Sequence, residues 1–173
     1  MKYLGRHPYK ERRTDSHVYF VGGPFSQWWL CEFEAAPWSS MIESTWTSCE
    51  QFMMAAKALL FHDVETYEKI TMVSDPRLIK QLGRQVKNFD ETIWKLNARE
   101  IVFRGNLAKF SQDDELLNYI KETGGRKFVE GAIYDEVWGV KLAWDDPAIE
   151  DSTNWRGTNW LGEVLDRVYE NVK

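Results

Sequence analysis

Residues 46–61 read W-T-S-C-E-Q-F-M-M-A-A-K-A-L-L-F, the strongest helix signal in the chain and the one the other elements are expected to pack around. Met53, Met54, Ala55, Ala56, Ala58, Leu59 and Leu60 are good helix formers, and no Gly or Pro interrupts them. Thr47 is a good N-cap, and Glu50 three residues later completes a T-x-x-E capping box. Glu50, Met53, Met54, Lys57 and Phe61 share one face at helical spacing. Glu50 and Lys57 then stand two turns apart, roughly 10 Å along the axis. That is too long for a direct ion pair and long enough to hold a ligand between the two charges. The same pattern suits plainer roles, with Glu50 as a capping residue and Lys57 laying its stem on apolar neighbours.

Composition narrows the class. The chain has 173 residues, a length that suits one domain with a sizeable core. Nine Trp is a large number, and Trp beside polar groups suits stacking on a flat ring as well as core packing. The net charge of −5 argues against an extended surface for a nucleic-acid backbone and leaves room for a local basic pocket. Cys31 and Cys49 have no metal spacing, and His7, His17 and His62 form no ligand cluster, so no metal is expected. Free thiols fit a reducing cytoplasm. No apolar run is long enough to span a bilayer, and the basic, polar start is unlike a signal peptide.

Around the central helix, Met1–Ser16 reads as an appended basic arm carrying Lys2, Arg6, Lys10, Arg12 and Arg13, a solvated tail or a contact for phosphate. Residues 17–173 form the domain proper. His17–Val21 reads as a strand, broken by Gly22-Gly23-Pro24. The turn leads into Ser26, Gln27, Trp28 and Trp29, which sets hydrogen-bonding groups beside aromatic faces. Phe33–Trp46 should hold a short strand or hairpin. Val64–Val73 reads as a helix, and Ser74-Asp75-Pro76 restarts another that Gly83 ends. Arg84 and Lys87 then fall in a loop, where a phosphate could be gripped. Asp90 caps a long helix to about Phe110, lined by Trp94, Ala98, Ile101, Gly105 and Ala108, with close packing expected at Gly105. Ser111 caps the next helix, Lys127–Ala132 is a short strand, and Trp160–Val172 is the last helix. The fold class is α+β: a compact, mainly helical single domain with a few short strands.

Three clusters combine Gly, Trp and a polar or charged residue: Gly22–Trp29, Glu130–Gly139 and Asn154–Gly162. Hydrolysis of a glycosidic bond passes through an oxocarbenium-like state that a carboxylate near C1 stabilises, while a second acid protonates the leaving group. Glu50, Glu130 and Asp135 are the available acids. The same clusters also suit turns and core aromatics.

The runs F-V-G-G-P-F-S-Q-W-W at 20–29 and T-S-C-E-Q-F-M-M-A-A-K-A at 47–58 resemble the opening of the NADAR domain, the YbiA-like family. L-G-R at 82–84, Trp94, R-G-N-L-A-K-F-S-Q at 104–112, F-V-E at 128–130, Y-D-E-V-W-G at 134–139 and R-G-T-N-W-L-G at 156–162 follow in family order. The resemblance implies an α+β N-glycosidase with no metal or cofactor. Some members of the family release ribose 5-phosphate from early riboflavin-pathway intermediates. Others remove ADP-ribose from guanine in nucleic acid, and some were proposed to act on NAD or ADP-ribose metabolites.

Carried over by position, the resemblance makes Glu50 a catalytic or ribose-binding acid and Asp135 the carboxylate at the anomeric carbon. Lys57 and Arg84 would sit near ribose or phosphate, and Trp94 would form a wall. Ser26, Trp138, Gly139, Asn159 and Gly162 would line the substrate site. The chain departs from the family pattern at Gln51, where relatives have His, and at Val140-Lys141-Leu142, where they carry a Gly-rich loop. The expected partner is a ribosyl phosphate or ADP-ribosyl small molecule, or ADP-ribosylated nucleic acid, with no membrane. The other reading is a module that binds ADP-ribose or an NAD derivative without turnover.

Overall fold

The computed structural model describes residues 9–38 and 42–173. In chain order it holds strands β1 (Lys10–Arg13), β2 (His17–Val21), β3 (Phe33–Ala35) and β4 (Ser44–Trp46). Helices α1 (Cys49–Leu60), α2 (Val64–Thr71), α3 (Pro76–Arg84), α4 (Glu91–Gln112) and α5 (Asp114–Lys121) follow. Strand β5 (Lys127–Glu130), two short 3-10 turns (Pro147–Glu150 and Ser152–Asn154) and helix α6 (Trp160–Val172) complete it. The class is α+β, mainly helical with a few short strands. The residues gather into two compact units, Gln27–Asp113 and Met1–Ser26 with Asp114–Lys173. Among the described residues, no helix is long and apolar enough to cross a membrane.

In the unit Gln27–Asp113, α1 packs against α2, α3, α4 and β4. It is therefore buried nearly all round, Glu50 and Gln51 included. Its neighbours come close because they present glycines. A Cβ at Gly105 would lie 2.7 Å from Phe52 Cδ1, so the close packing expected there is observed. A Cβ at Gly83 would lie 1.9 Å from Met54 Sδ. Gly83 does not end its helix, as the sequence suggested; α3 runs on through Arg84, which is therefore helical and not in a loop. Asp75 caps α3 with Pro76 at its first position, and Asp90 caps α4 through Ile93 N–H, both as expected.

Two caps differ from expectation. The N-cap of α1 is Ser48, one residue beyond Thr47, and its Oγ accepts from Gln51 N–H at 3.2 Å. The reciprocal partner is Gln51: its Oε1 accepts from Thr47 N–H and Oγ1, both at 2.9 Å. Gln51 Nε2 donates to Ile70 O at 3.1 Å and Val73 O at 2.8 Å, fixing the end of α2. Ser111 does not cap α5 either. It lies inside α4 and donates back to Leu107 O at 2.6 Å. The helix runs on to Gln112, whose side chain bonds both backbone groups of Glu34 on β3.

In the other unit the strand order is β1-β2-β5, with β1 antiparallel and β5 parallel to β2. The central position of β2 explains why Val18, Tyr19 and Phe20 are all buried. Helix α6 packs against β5, and α5 against α6. The second half of the basic arm is β1 and not a solvated tail. Arg12 pairs with Glu150 and lies 4.5 Å from the Tyr19 ring centroid, and Arg13 pairs with Glu11 at 2.6 Å. Lys2 and Arg6 lie outside the described residues.

Cys31 and Cys49 are free and buried. Burial pushes the Cys49 thiol up to about 12 against the opposing pull of Lys109, and burial also raises Cys31. A buried thiol held protonated is a poor nucleophile. Neither cysteine is therefore expected to react with an aromatic disulfide reagent at pH 8 in the native protein, whereas both react at once in guanidinium. A fast native thiol would show that this unit opens readily.

Candidate active site

The one-residue shift of the α1 cap matters chemically. Ser48 and Gln51 do the capping, so the Glu50 side chain is not needed for it. Glu50 is only 4% exposed, and its N–H donates to Gln27 O at 2.8 Å. Two turns on, Lys57 donates to Gly83 O at 2.8 Å. Its ammonium lies 4.3 Å from the Phe89 ring centroid and 5.5 Å from that of Trp94. Burial lowers the Lys57 pKa, and the Glu50 carboxylate opposes that fall. A carboxylate and an ammonium on one helix thus feel each other in a partly desolvated setting, where electrostatic interactions strengthen. Trp28 follows Gln27, and Lys80 of α3 lies 5.0 Å from its ring centroid.

Trp94 is therefore brought to Lys57, and the Glu50 carboxylate is near enough to Lys57 to raise its pKa. Arg84 is exposed at the end of α3, next in sequence to the carbonyl that holds Lys57. Sequence reasoning missed Phe89 and Lys80, and named Gln27 only as one of the polar groups that follow the Gly-Gly-Pro turn. For Phe89 a signal existed: it precedes the Asp90 cap and Trp94 is the fourth helical residue, the positions of a hydrophobic staple. Lys80 carried no local signal, since only the packing of α3 brings it to Trp28.

The unit Met1–Ser26 with Asp114–Lys173 collects the other candidates. Asp135 Oδ1 accepts from Val137 N–H at 2.9 Å and Trp138 N–H at 2.8 Å, so this carboxylate shapes the W-G turn. Trp138 meets Trp160 edge-on at 5.7 Å. The backbone of the Y-D-E-V-W-G loop accepts in turn from the N-W-L segment: Asn159 N–H donates to Gly139 O at 3.1 Å, and Leu161 N–H to Trp138 O at 3.1 Å. Asn159 sits at a left-handed φ of 54° and grips β5 with both ends of its side chain. Oδ1 accepts from Glu130 N–H at 3.1 Å, and Nδ2 donates to Phe128 O at 2.9 Å. Gly162 lets this frame close, since a Cβ there would lie 2.1 Å from Phe128 O. Ser26 is buried, its N–H bonded to Gly23 O at 3.0 Å across the Gly-Gly-Pro turn.

Both departures from the family pattern have structural work. The Gln51 side chain bonds backbone groups and the Thr47 hydroxyl. Val140 is fully buried with Tyr19, Val129 and Ile149.

The NADAR domain model matches residues 16–173. N-glycosidase R617 of Acanthamoeba polyphaga mimivirus is 39% identical over 166 residues, covering 91% of this chain and 96% of that one. Protein irg-1 of Caenorhabditis elegans is 36% identical over 174 residues, 94% of this chain and 82% of that one. N-glycosidase YbiA of Escherichia coli (strain K12) is 27% identical over 138 residues, 79% of this chain and 78% of that one. The NMR structure of E. coli YbiA shares the fold at a TM-score of 0.71 and 23% identity, over 92% of this chain and 86% of that one. With its motifs in family order and a family match that spans both units, the chain belongs to the NADAR domain family.

Proposed function

We propose that this chain is an N-glycosidase that hydrolyses the bond between the anomeric carbon of a ribosyl group and a nitrogen. The ribosyl group belongs to a ribosylamine phosphate or to ADP-ribose on a base. The enzyme class, a hydrolase of N-glycosyl bonds, rests on the family and on two relatives that bear that name. The observation that supports this site is the buried Glu50 carboxylate on the same helix as Lys57, whose pKa it raises, with Lys57 beside Phe89 and Trp94.

As the C1–N bond breaks, its electron pair leaves with nitrogen, which takes a proton. Positive charge grows on C1 and the ring oxygen, where Glu50 stabilises it. Water adds to C1 and loses a proton, giving the free sugar and the amine. The Lys57 ammonium holds a phosphate or ribose oxygen, and the aromatic rings exclude water. Arg84, at the end of α3, is a further phosphate contact.

The family pattern gives Asp135 a catalytic part as well, and a variant tests it alone. Asp135→Asn keeps Oδ1 as acceptor for Val137 and Trp138. It should fold normally and lose turnover about a hundredfold or more if the carboxylate acts in the reaction. Full activity would leave Asp135 as a turn-former. The substrate is tested by mass spectrometry with three compounds in parallel: ADP-ribosyl-guanosine DNA, NAD, and the ribosylamino-pyrimidine phosphate of the riboflavin pathway. Cleavage of one alone identifies it. Cleavage of none, with ADP-ribose still bound, would replace the proposal with a binding module.

A further inference from the structure

Gln27 stands out among the buried carboxamides. It is only 4% exposed, yet among the described residues neither its Nε2 nor its Oε1 has a hydrogen-bond partner. Gln51 and Asn159, also buried, use both ends of their side chains. Leaving a buried donor and acceptor both unmade is costly, and folding alone gives no reason to keep Gln here. The backbone places Gln27 next to Glu50. Gln27 O accepts from Glu50 N–H at 2.8 Å, and Cys31 N–H bonds Thr47 O at 3.0 Å, so the segment is tied to the start of α1 beside the catalytic candidate.

From this placement we infer that Gln27 is a specificity-determining residue that binds the ribose hydroxyl next to the anomeric carbon. The inference rests on the proposed reading of Glu50. A group beside the carboxylate that faces C1 is nearest to the 2-hydroxyl, the one sugar group that both donates and accepts there. A carboxamide offers the matching pair, N–H to the hydroxyl oxygen and Oε1 to its hydrogen. Glu50 as a carboxylate only accepts, so it cannot supply the donor. Such a bond strengthens as C1 becomes electron-poor and the hydroxyl more polarised. A site that pairs a substrate hydroxyl also rejects the analogue lacking it, because its own polar groups are then left unpaired.

The test compares the riboside cleaved by the wild-type protein with its 2-deoxy counterpart, using wild type, Gln27→Met and Gln27→Glu. Gln27→Met keeps the length and removes both hydrogen-bonding atoms. It should lower kcat/KM for the riboside roughly a hundredfold, leave the deoxyriboside nearly unchanged, and so collapse the preference. Its Tm without ligand should hold or rise, because two unpaired polar atoms are gone. Gln27→Glu keeps an acceptor and should fall between. Isothermal titration with ribose 5-phosphate and 2-deoxyribose 5-phosphate gives a second readout, in which wild type prefers the first and Gln27→Met does not. An unchanged ratio in both variants, with active wild type, would overturn the role of Gln27 and leave the glycosidase reading intact. A wild type that neither cleaves an N-riboside nor binds ribose 5-phosphate would overturn both. A fall in Tm for Gln27→Met with the ratio preserved would make Gln27 structural.

Discussion

Glu50→Gln is expected to lower turnover of the N-riboside substrate by roughly a hundredfold to a thousandfold while leaving the fold in place. The fold should survive because the amide keeps the side chain's size and one oxygen acceptor. Ser48 and Gln51 cap α1, and Gln27 O bonds the Glu50 backbone, which the substitution does not alter. The isosteric amide loses the charge that faces the developing cation and keeps the volume. A second effect follows at Lys57. Burial lowers its pKa and the Glu50 carboxylate raises it, so removing the carboxylate lets the pKa fall further. If the ammonium form binds substrate, residual activity in Glu50→Gln should be lost at a lower pH than in wild type as pH rises through that pKa. Steady-state kinetics across pH measure both effects. A Glu50→Gln protein with wild-type turnover would return Glu50 to a packing role.

The sequence made the helices legible and their tertiary uses illegible. Helical spacing put Glu50 and Lys57 on one face of α1, and Asp75 and Asp90 were readable as caps because their partners are three residues or fewer away. The α1 cap was misplaced by one residue because Thr47 and Ser48 are both good caps. What separates them is Gln51, whose other bonds reach Ile70 and Val73. Gly83 looked like a helix end because its reason for being Gly is Met54, far away in sequence. Strand β1 was hidden by its charge, since only the fold brings Arg12 to Glu150 and against the Tyr19 ring. The site divides the same way. Glu50 and Lys57 show a local pattern, Asp135 showed as an acid in a Gly- and Trp-containing cluster, Asn159 entered through motif resemblance, and only the structure sets Gln27 apart from its neighbours, as a buried carboxamide without a hydrogen-bond partner among the described residues.

Asn159→Ala is expected to cost about 2–6 kcal/mol of stability, from one buried and one partly buried backbone group, each worth about 1–3 kcal/mol when left unpaired. Glu130 N–H and Phe128 O would lose their partner together, at adjoining points on β5. The φ of 54° adds a second cost, because Ala tolerates the left-handed region less well than Asn. Asn159→Gly separates the two terms: it relieves the backbone and still loses both bonds, so it should be about 1 kcal/mol more stable than Asn159→Ala. Asn159→Asp keeps the acceptor for Glu130 but turns a second oxygen towards Phe128 O, and so should recover little. Chemical denaturation of the three variants orders them. If Asn159→Ala lost less than about 1 kcal/mol, water would be replacing the carboxamide with ease. The grip on β5 would then be dispensable, and the side chain would be available to meet substrate in the way the family pattern implies.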